Sequence, residues 1–113
     1  MLKRNRVVIT QPTYLPWLGY FDLMARADTF IFFDHVQFEK RSWQQRNRIK
    51  TSDGVAWLTV PVLSKGRYDQ AIYEVEIEDQ TWQRKHLNTI KHSYSRAPFY
   101  NELHGLLSDV YSL

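Results

Sequence analysis

The chain contains no cysteine. A disulfide framework, a thiolate nucleophile and a cysteine-containing zinc site are excluded together, and a reducing compartment is allowed. Glycine is scarce, with four residues in the chain. The P-loop, dinucleotide-binding, zincin and nucleophile-elbow motifs are all missing, which removes the usual phosphate-cradling loops and the common hydrolase signatures. No apolar stretch approaches the roughly 18 residues of a membrane span. The basic start is followed by an apolar run, Val7 to Ile9, that is too short for a signal-peptide core. A cytoplasmic protein without a membrane span is expected, and no metal site is indicated. His86 and His92 do not share the i, i+4 spacing of a helical metal pair, and with His104 they read as structural or solvated.

What is present fits one small α/β domain over residues 1–113. At 13.6 kDa such a chain buries roughly two thirds of the surface its unfolded form exposes, enough for one modest core. The formal charge of +3 is unevenly placed: residues 1–60 hold nine Lys/Arg against five Asp/Glu, and 61–113 hold six against seven. Lys40, Arg41, Arg46, Arg48 and Lys50 run without an acid between them. Such a run is either a solvated face or an anion site.

Patterning supplies the order of elements. Arg6 to Gln11 is a β-branched run closed by Pro12, which reads as a buried strand entering a turn. From Trp17 the apolar residues Leu18, Phe21, Leu23, Met24 and Ala27 take helical spacing, with Pro16 suited to a first helical position. Thr29 to Asp34, rich in aromatic and β-branched residues, indicates a second buried strand. Strand, helix and strand within one short unit predict a crossover that places the two strands parallel in one sheet. The sheet is expected to be small, in two or three layers. After a polar segment, Ser52-Asp53-Gly54 marks a turn and Val55 to Val62 a strand. Ala71 to Glu78 reads as an edge strand with one wet face. Asp79 is placed to cap a helix carrying Trp82, His86, Leu87, Ile90 and Tyr94, stopped by Pro98. In a last helix Phe99, Leu103, Leu106, Leu107 and Val110 form an apolar stripe running to Leu113. An apolar stripe with no polar tail suggests that the natural chain continues.

Chemistry concentrates in two polar segments. The first follows the first strand, where parallel sheets bind ligands, and Gln11, Thr13 and Tyr14 would face that mouth. Gly19, costly early in a helix, implies that a ligand or a neighbouring strand occupies its missing side chain's space. Trp17, Tyr20 and Phe21 read as core. The second segment follows the second strand, so both lie at one edge of the sheet. Asp34 and His35 offer a carboxylate and an imidazole suited to proton transfer near neutrality, or, more plainly, a turn cap and a solvated histidine. Gln37 could bind a neutral polar group, and Arg46, Asn47 and Arg48 a phosphate or carboxylate. The two arginines point the same way only if the segment is extended; on a helix they lie about 200° apart.

Taken together, QPTYLPWLGYF, VQF, SW and RNRI, followed by AWLTVPV and SYSRAPFY, resemble the WbqC-like protein family over about Val7 to Tyr100. The resemblance implies bacterial surface-polysaccharide (O-antigen) biosynthesis and a transferase that moves a small acyl group, glycyl among the candidates, onto a sugar nucleotide. Family members are longer, so this chain reads as an N-terminal portion. The family's polar positions fall here on Gln11, Tyr14, Asp34, Gln37, Arg46, Asn47 and Arg48, and His35 stands where the family frequently has an acid. Asp34 or His35 would act as the catalytic base. Gln11, Tyr14, Gln37, Arg46, Asn47 and Arg48 would bind substrate; no cofactor is specified. Two alternatives stand beside this. The strand, Pro-x-Trp-x-Gly turn and helix are similar to HxGH nucleotidyltransferases, although no histidine occupies Pro16 to Gly19. A pI of about 9.3 with Trp43 inside the basic run would also suit a polyanion or nucleic-acid module, which ranks below the enzymes because the net charge is small.

Overall fold

The computed structural model describes residues 3–113. Four strands and three helices form an α/β fold: β1 (Val7–Thr10), α1 (Leu18–Arg26), β2 (Thr29–Phe32), β3 (Arg46–Thr51), β4 (Gly54–Thr59), α2 (Trp82–Tyr94) and α3 (Tyr100–Tyr111). β1 and β2 pair in parallel, with Val7 opposite Thr29 and Thr10 opposite Phe32, as the strand-helix-strand pattern predicts. The pairing is extended at one end by Asp28 and Thr29 N–H groups on the Arg6 carbonyl, and at the other by the Phe33 N–H on Thr10 (2.8 Å).

The polar segment before Ser52 is itself a strand. β3 and β4 form an antiparallel hairpin, Arg46 opposite Thr59 and Thr51 opposite Gly54. Gly54 adopts φ 116° at its turn, a conformation that L side chains rarely take. The core lies between this hairpin and the C-terminal helices: Leu58, Ile90, Tyr100 and Tyr111 are buried, with Ile49, Trp82, Leu87, Tyr94 and Leu107 packed around them. Each fully buried aliphatic side chain of this set contributes about 1.5–3 kcal/mol relative to exposure. α2 begins at Trp82, two residues later than an Asp79 cap would start it: Thr81 is its N-cap, with no side-chain cap bond, and Asp79 accepts instead from the N–H and hydroxyl of Thr81 (2.7 and 2.8 Å). These two bonds hold the Asp79 carboxyl below its ordinary pKa.

Four expectations are corrected. Ala71 to Glu78 is not a strand: Ile72–Glu74 forms one 3-10 turn, closed by the Ala71 N–H on the Glu74 carboxylate (2.9 Å). Its two ends pair only as isolated bridges, Ala71 with Gln37 and Ile77 with Val62, and at the second Pro61, lacking an N–H, stops the ladder from growing. The β1–β2 strands are not buried on both faces, since Val7, Ile9, Ile31 and Phe32 are exposed. A pair of strands with one crossover helix leaves a face without a covering layer. In α1, which starts at Leu18 rather than Pro16, Tyr20 is buried while Leu18, Phe21 and Trp17 are exposed. In α3 the buried face is Tyr100 and Tyr111; Phe99, Leu103, Leu106 and Val110 face outward.

Candidate functional site

The turn after β1 and the segment before β3 are laced together. The Tyr14 N–H donates to the Trp43 carbonyl (2.9 Å), and Gln44 Nε2 donates to Gln11 Oε1 (2.7 Å). Asn47 Nδ2 donates to the carbonyls of Leu15 (2.7 Å) and Tyr14 (3.3 Å). Leu15 sits at φ 46°, a left-handed conformation that costs a branched residue about 1–2 kcal/mol; Asn47 grips the strained peptide from the side. Residues 39–45 fold back on themselves through Glu39 N–H to Gln44 Oε1 and Arg41 N–H to Gln45 Oε1, presenting Trp43 outward.

Between these segments lies a cleft of two adjoining depressions that share Thr13, Trp17 and Trp43. One, of about 380 Å³, is completed by Pro16 and Asn47. The other, about 490 Å³, opens at the carboxyl ends of β1 and β2, with Gln11, Tyr20, Phe33, Glu39 and Gln44 in its wall. This is the place where open parallel sheets receive ligands. Gly19 serves the cleft indirectly: a Cβ there would lie 1.7 Å from the Trp17 ring. The space is taken by that indole, not by a ligand or a strand.

Because β3 is extended, Arg46 and Arg48 project from one face of the hairpin and Asn47 from the other. Arg46 Cζ lies 4.0 Å from the centroid of Trp57, and Arg48 Cζ 5.5 Å from Trp57 and 5.7 Å from Trp43. The two indoles are 5.8 Å apart and inclined at 34°. Contacts of this kind contribute about 0.5–1 kcal/mol at exposed sites and place the two guanidinium groups over the indole pair. Among the described residues no carboxylate pairs with either arginine, and Arg46 Nε is buried without an acceptor.

Gln11 and Asn47 thus line the cleft with Trp43, while Arg48 reaches Trp43 and Trp57 from the other face of β3 with Arg46 beside it on Trp57; neither arginine lines the cleft. The others are placed elsewhere. Asp34 and His35 face each other (Oδ1 to Nδ1 3.3 Å), with the His35 ring 5.2 Å from Tyr73, and neither lines the cleft. Gln37 Nε2 donates to the Tyr68 carbonyl (3.1 Å), fastening the 68–73 loop. The Tyr14 hydroxyl points inward. His86 Nε2 lies 3.0 Å from the Thr59 carbonyl, which can only accept, so Nε2 carries the ring proton and Nδ1 accepts from Tyr14 (2.7 Å). The Tyr14 oxygen in turn accepts from the Tyr111 hydroxyl. Burial, with Tyr111 beside it, pushes the Tyr14 phenol far above its ordinary range, and burial raises Tyr111 and lowers His86.

Glu39 and Trp57 escaped the sequence reading. Glu39 is the acid directly before the basic run, and that adjacency was the available signal. Trp57 comes into register with Arg48 only through the hairpin, which residue spacing alone does not disclose.

These features define an α/β protein with an arginine–tryptophan face beside a strand-end cleft. The model of the WbqC-like protein family matches residues 11–113, and the chain belongs to that family. It is 45% identical over 107 residues to the "Uncharacterized protein Rv1507c" of Mycobacterium tuberculosis (strain ATCC 25618 / H37Rv), covering 95% of this chain and 46% of the relative. The chain therefore spans about half the length of the curated relative it matches. No solved structure matches it. Among the described residues no helix is long and apolar enough to cross a membrane, and no group of three or more His, Asp or Glu is placed to hold a metal ion.

Proposed function

We propose that this cleft binds a sugar nucleotide, and that the chain contributes the binding half of a transferase placing a small acyl group, such as glycyl, on the sugar during bacterial surface-polysaccharide (O-antigen) biosynthesis. The observation that carries the reading is the pair Arg46 and Arg48, unpaired with any carboxylate among the described residues and stacked on Trp57 and Trp43 beside a cleft lined by Asn47, Thr13 and Gln11. Guanidinium edges suit a diphosphate, indole faces suit a base or the apolar face of a sugar, and the amides orient hydroxyls. In the transfer, the acceptor's N–H or O–H gives its proton to a base as its lone pair attacks the acyl carbonyl, and the leaving group departs with the bonding pair. Glu39 lines the cleft; Asp34 and His35 lie one and two residues beyond Phe33, which also lines it. These three, Asp34, His35 and Glu39, are the candidate bases.

Titration calorimetry with nucleoside diphosphate sugars tests the binding. We expect saturable binding, weakened about tenfold or more in Arg46→Ala, the loss of one charge-assisted contact. Equal affinity in variant and parent removes the assignment. Asp34→Asn, His35→Gln and Glu39→Gln should each leave binding in place. In a transfer assay, the variant that loses turnover identifies the base.

A second reading rests on the same face. Trp43, in the loop before β3, and Trp57, on β4, are 51% and 45% exposed beside β3, which also carries Lys50, an arrangement suited to stacking single-stranded nucleic acid. That reading predicts an affinity for oligonucleotides that falls steeply with salt, where the sugar-nucleotide reading predicts selectivity for the small ligand.

A further inference from the structure

α3 carries two apolar faces. Tyr100, Leu107 and Tyr111 pack toward the core. Leu103, Leu106 and Val110, with Phe99 at the N-cap and Leu113 just past the C-cap, follow the alternating four and three spacing of a helix–helix seam, and all face outward, Phe99 to Leu113 in order at 66%, 50%, 60%, 53% and 98% exposure. A stripe of that regularity is not scattered surface apolarity; it is the geometry by which one helix receives another.

The charges beside the stripe describe its occupant. At 3.6 residues per turn, Glu102 and Asp109 fall along the border that lies away from the core, and α3 holds no lysine or arginine. A second copy docked through the same stripe would set Glu102 and Asp109 of one helix near those of the other, which like-charge repulsion opposes. A helix whose apolar stripe is bordered by lysine or arginine meets both features. The relative supplies a source, since the matched segment accounts for 46% of its length and the remainder is a partner of domain size.

We propose that the outward face of α3 is an interface for an amphipathic, basic-bordered helix from the part of the longer family protein that this chain does not match. The partner's apolar residues fill the seam from Phe99 to Leu113, and its cations lie along Glu102 and Asp109.

The test joins the 113-residue chain to the unmatched part of the M. tuberculosis relative, once as a fusion replacing the relative's matched segment and once by co-expression of the two pieces under separate tags. Leu106→Glu with Val110→Glu is expected to leave the melting temperature of the isolated chain within about 2 °C, as substitutions at exposed positions do, but to lower that of the fusion by about 8 °C, the effect of placing charges in a covered seam. Co-purification should fall at least tenfold in the same double variant, and also in Glu102→Lys with Asp109→Lys, which keeps the apolar stripe. Equal melting shifts in chain and fusion, or co-purification indifferent to both pairs of substitutions, overturn the proposal. So does a self-associating isolated chain in which Leu106→Glu with Val110→Glu breaks the dimer and the co-expressed piece does not bind, because the occupant is then a second copy.

Discussion

At the scale of the residue, Tyr14 shows how a side chain expected at a ligand mouth is drawn into the interior. Its backbone belongs to the cleft-forming turn, where its N–H meets Trp43. Its hydroxyl is consumed between His86 and Tyr111. Removing that hydroxyl leaves His86 Nδ1 without a donor and the Tyr111 O–H without an acceptor, each half-shielded from water. A buried polar group stripped of its partner costs about 1–3 kcal/mol. Tyr14→Phe is therefore expected to shift the urea midpoint down by an amount in that range with no change in slope, and to leave sugar-nucleotide affinity within twofold. A loss of affinity at unchanged stability would instead return the hydroxyl to the cleft.

At the scale of the element, the turn between β1 and α1 depends on a side chain from β3. Asn47 is the only described residue whose side chain bonds the Leu15 carbonyl, and Leu15 is held at φ 46°. Asn47→Ala frees two carbonyls and lets the turn relax toward ordinary φ. The expected loss is about 1–3 kcal/mol of stability, with amide hydrogen exchange quickened in residues 12–17 and not in α2; uniform quickening would mean that Asn47 serves the fold as a whole. The same elements show what the sequence could disclose. β1, α1 and β2 were legible because the apolar period changes from that of a strand to that of a helix and back, and α2 because Asp79, the Trp82-to-Tyr94 spacing and Pro98 agree. β3 was hidden: RNRIK has no apolar alternation, and its strand state comes from pairing with β4 rather than from its own composition. Ile72 to Ile77 misled in the opposite direction, its β-like residues being turned by Glu74 and blocked by Pro61. For the candidate site, the pairing of Arg46 with Arg48 on one face and the turning of Asn47 toward the cleft depended on whether β3 is extended, which spacing left open. Trp57 and Glu39 reach the cleft region through long-range register and a folded-back loop, neither of which has a local signature.

At the scale of the whole molecule, three units meet at His86: β4 through the Thr59 carbonyl, the β1–α1 turn through Tyr14, and α3 through Tyr111, which in turn bonds Tyr14. The imidazole is 6% exposed, and the groups facing it are a carbonyl, two phenols and the Trp82 indole, with no carboxylate to receive a positive charge. Burial therefore holds its pKa below the ordinary 6.5. The sign follows from that direction. A histidine that protonates less readily when folded gives the unfolded chain the greater proton uptake, so its contribution to stability is complete above pH 6.5 and is lost as the pH falls through the lowered folded-state value. Tyr14 and Tyr111, both raised by burial, remain neutral throughout this window. Thermal unfolding followed from pH 8 to pH 5 should show a plateau and then a decline beginning near pH 6.5, with one proton taken up per chain unfolded. His86→Gln, which can still bond Thr59 or Tyr14, should melt lower on the plateau and lack that part of the decline. If parent and variant decline in parallel, the acid sensitivity belongs to carboxylates elsewhere, and His86 does not join the hairpin, the turn and α3 in the neutral form described.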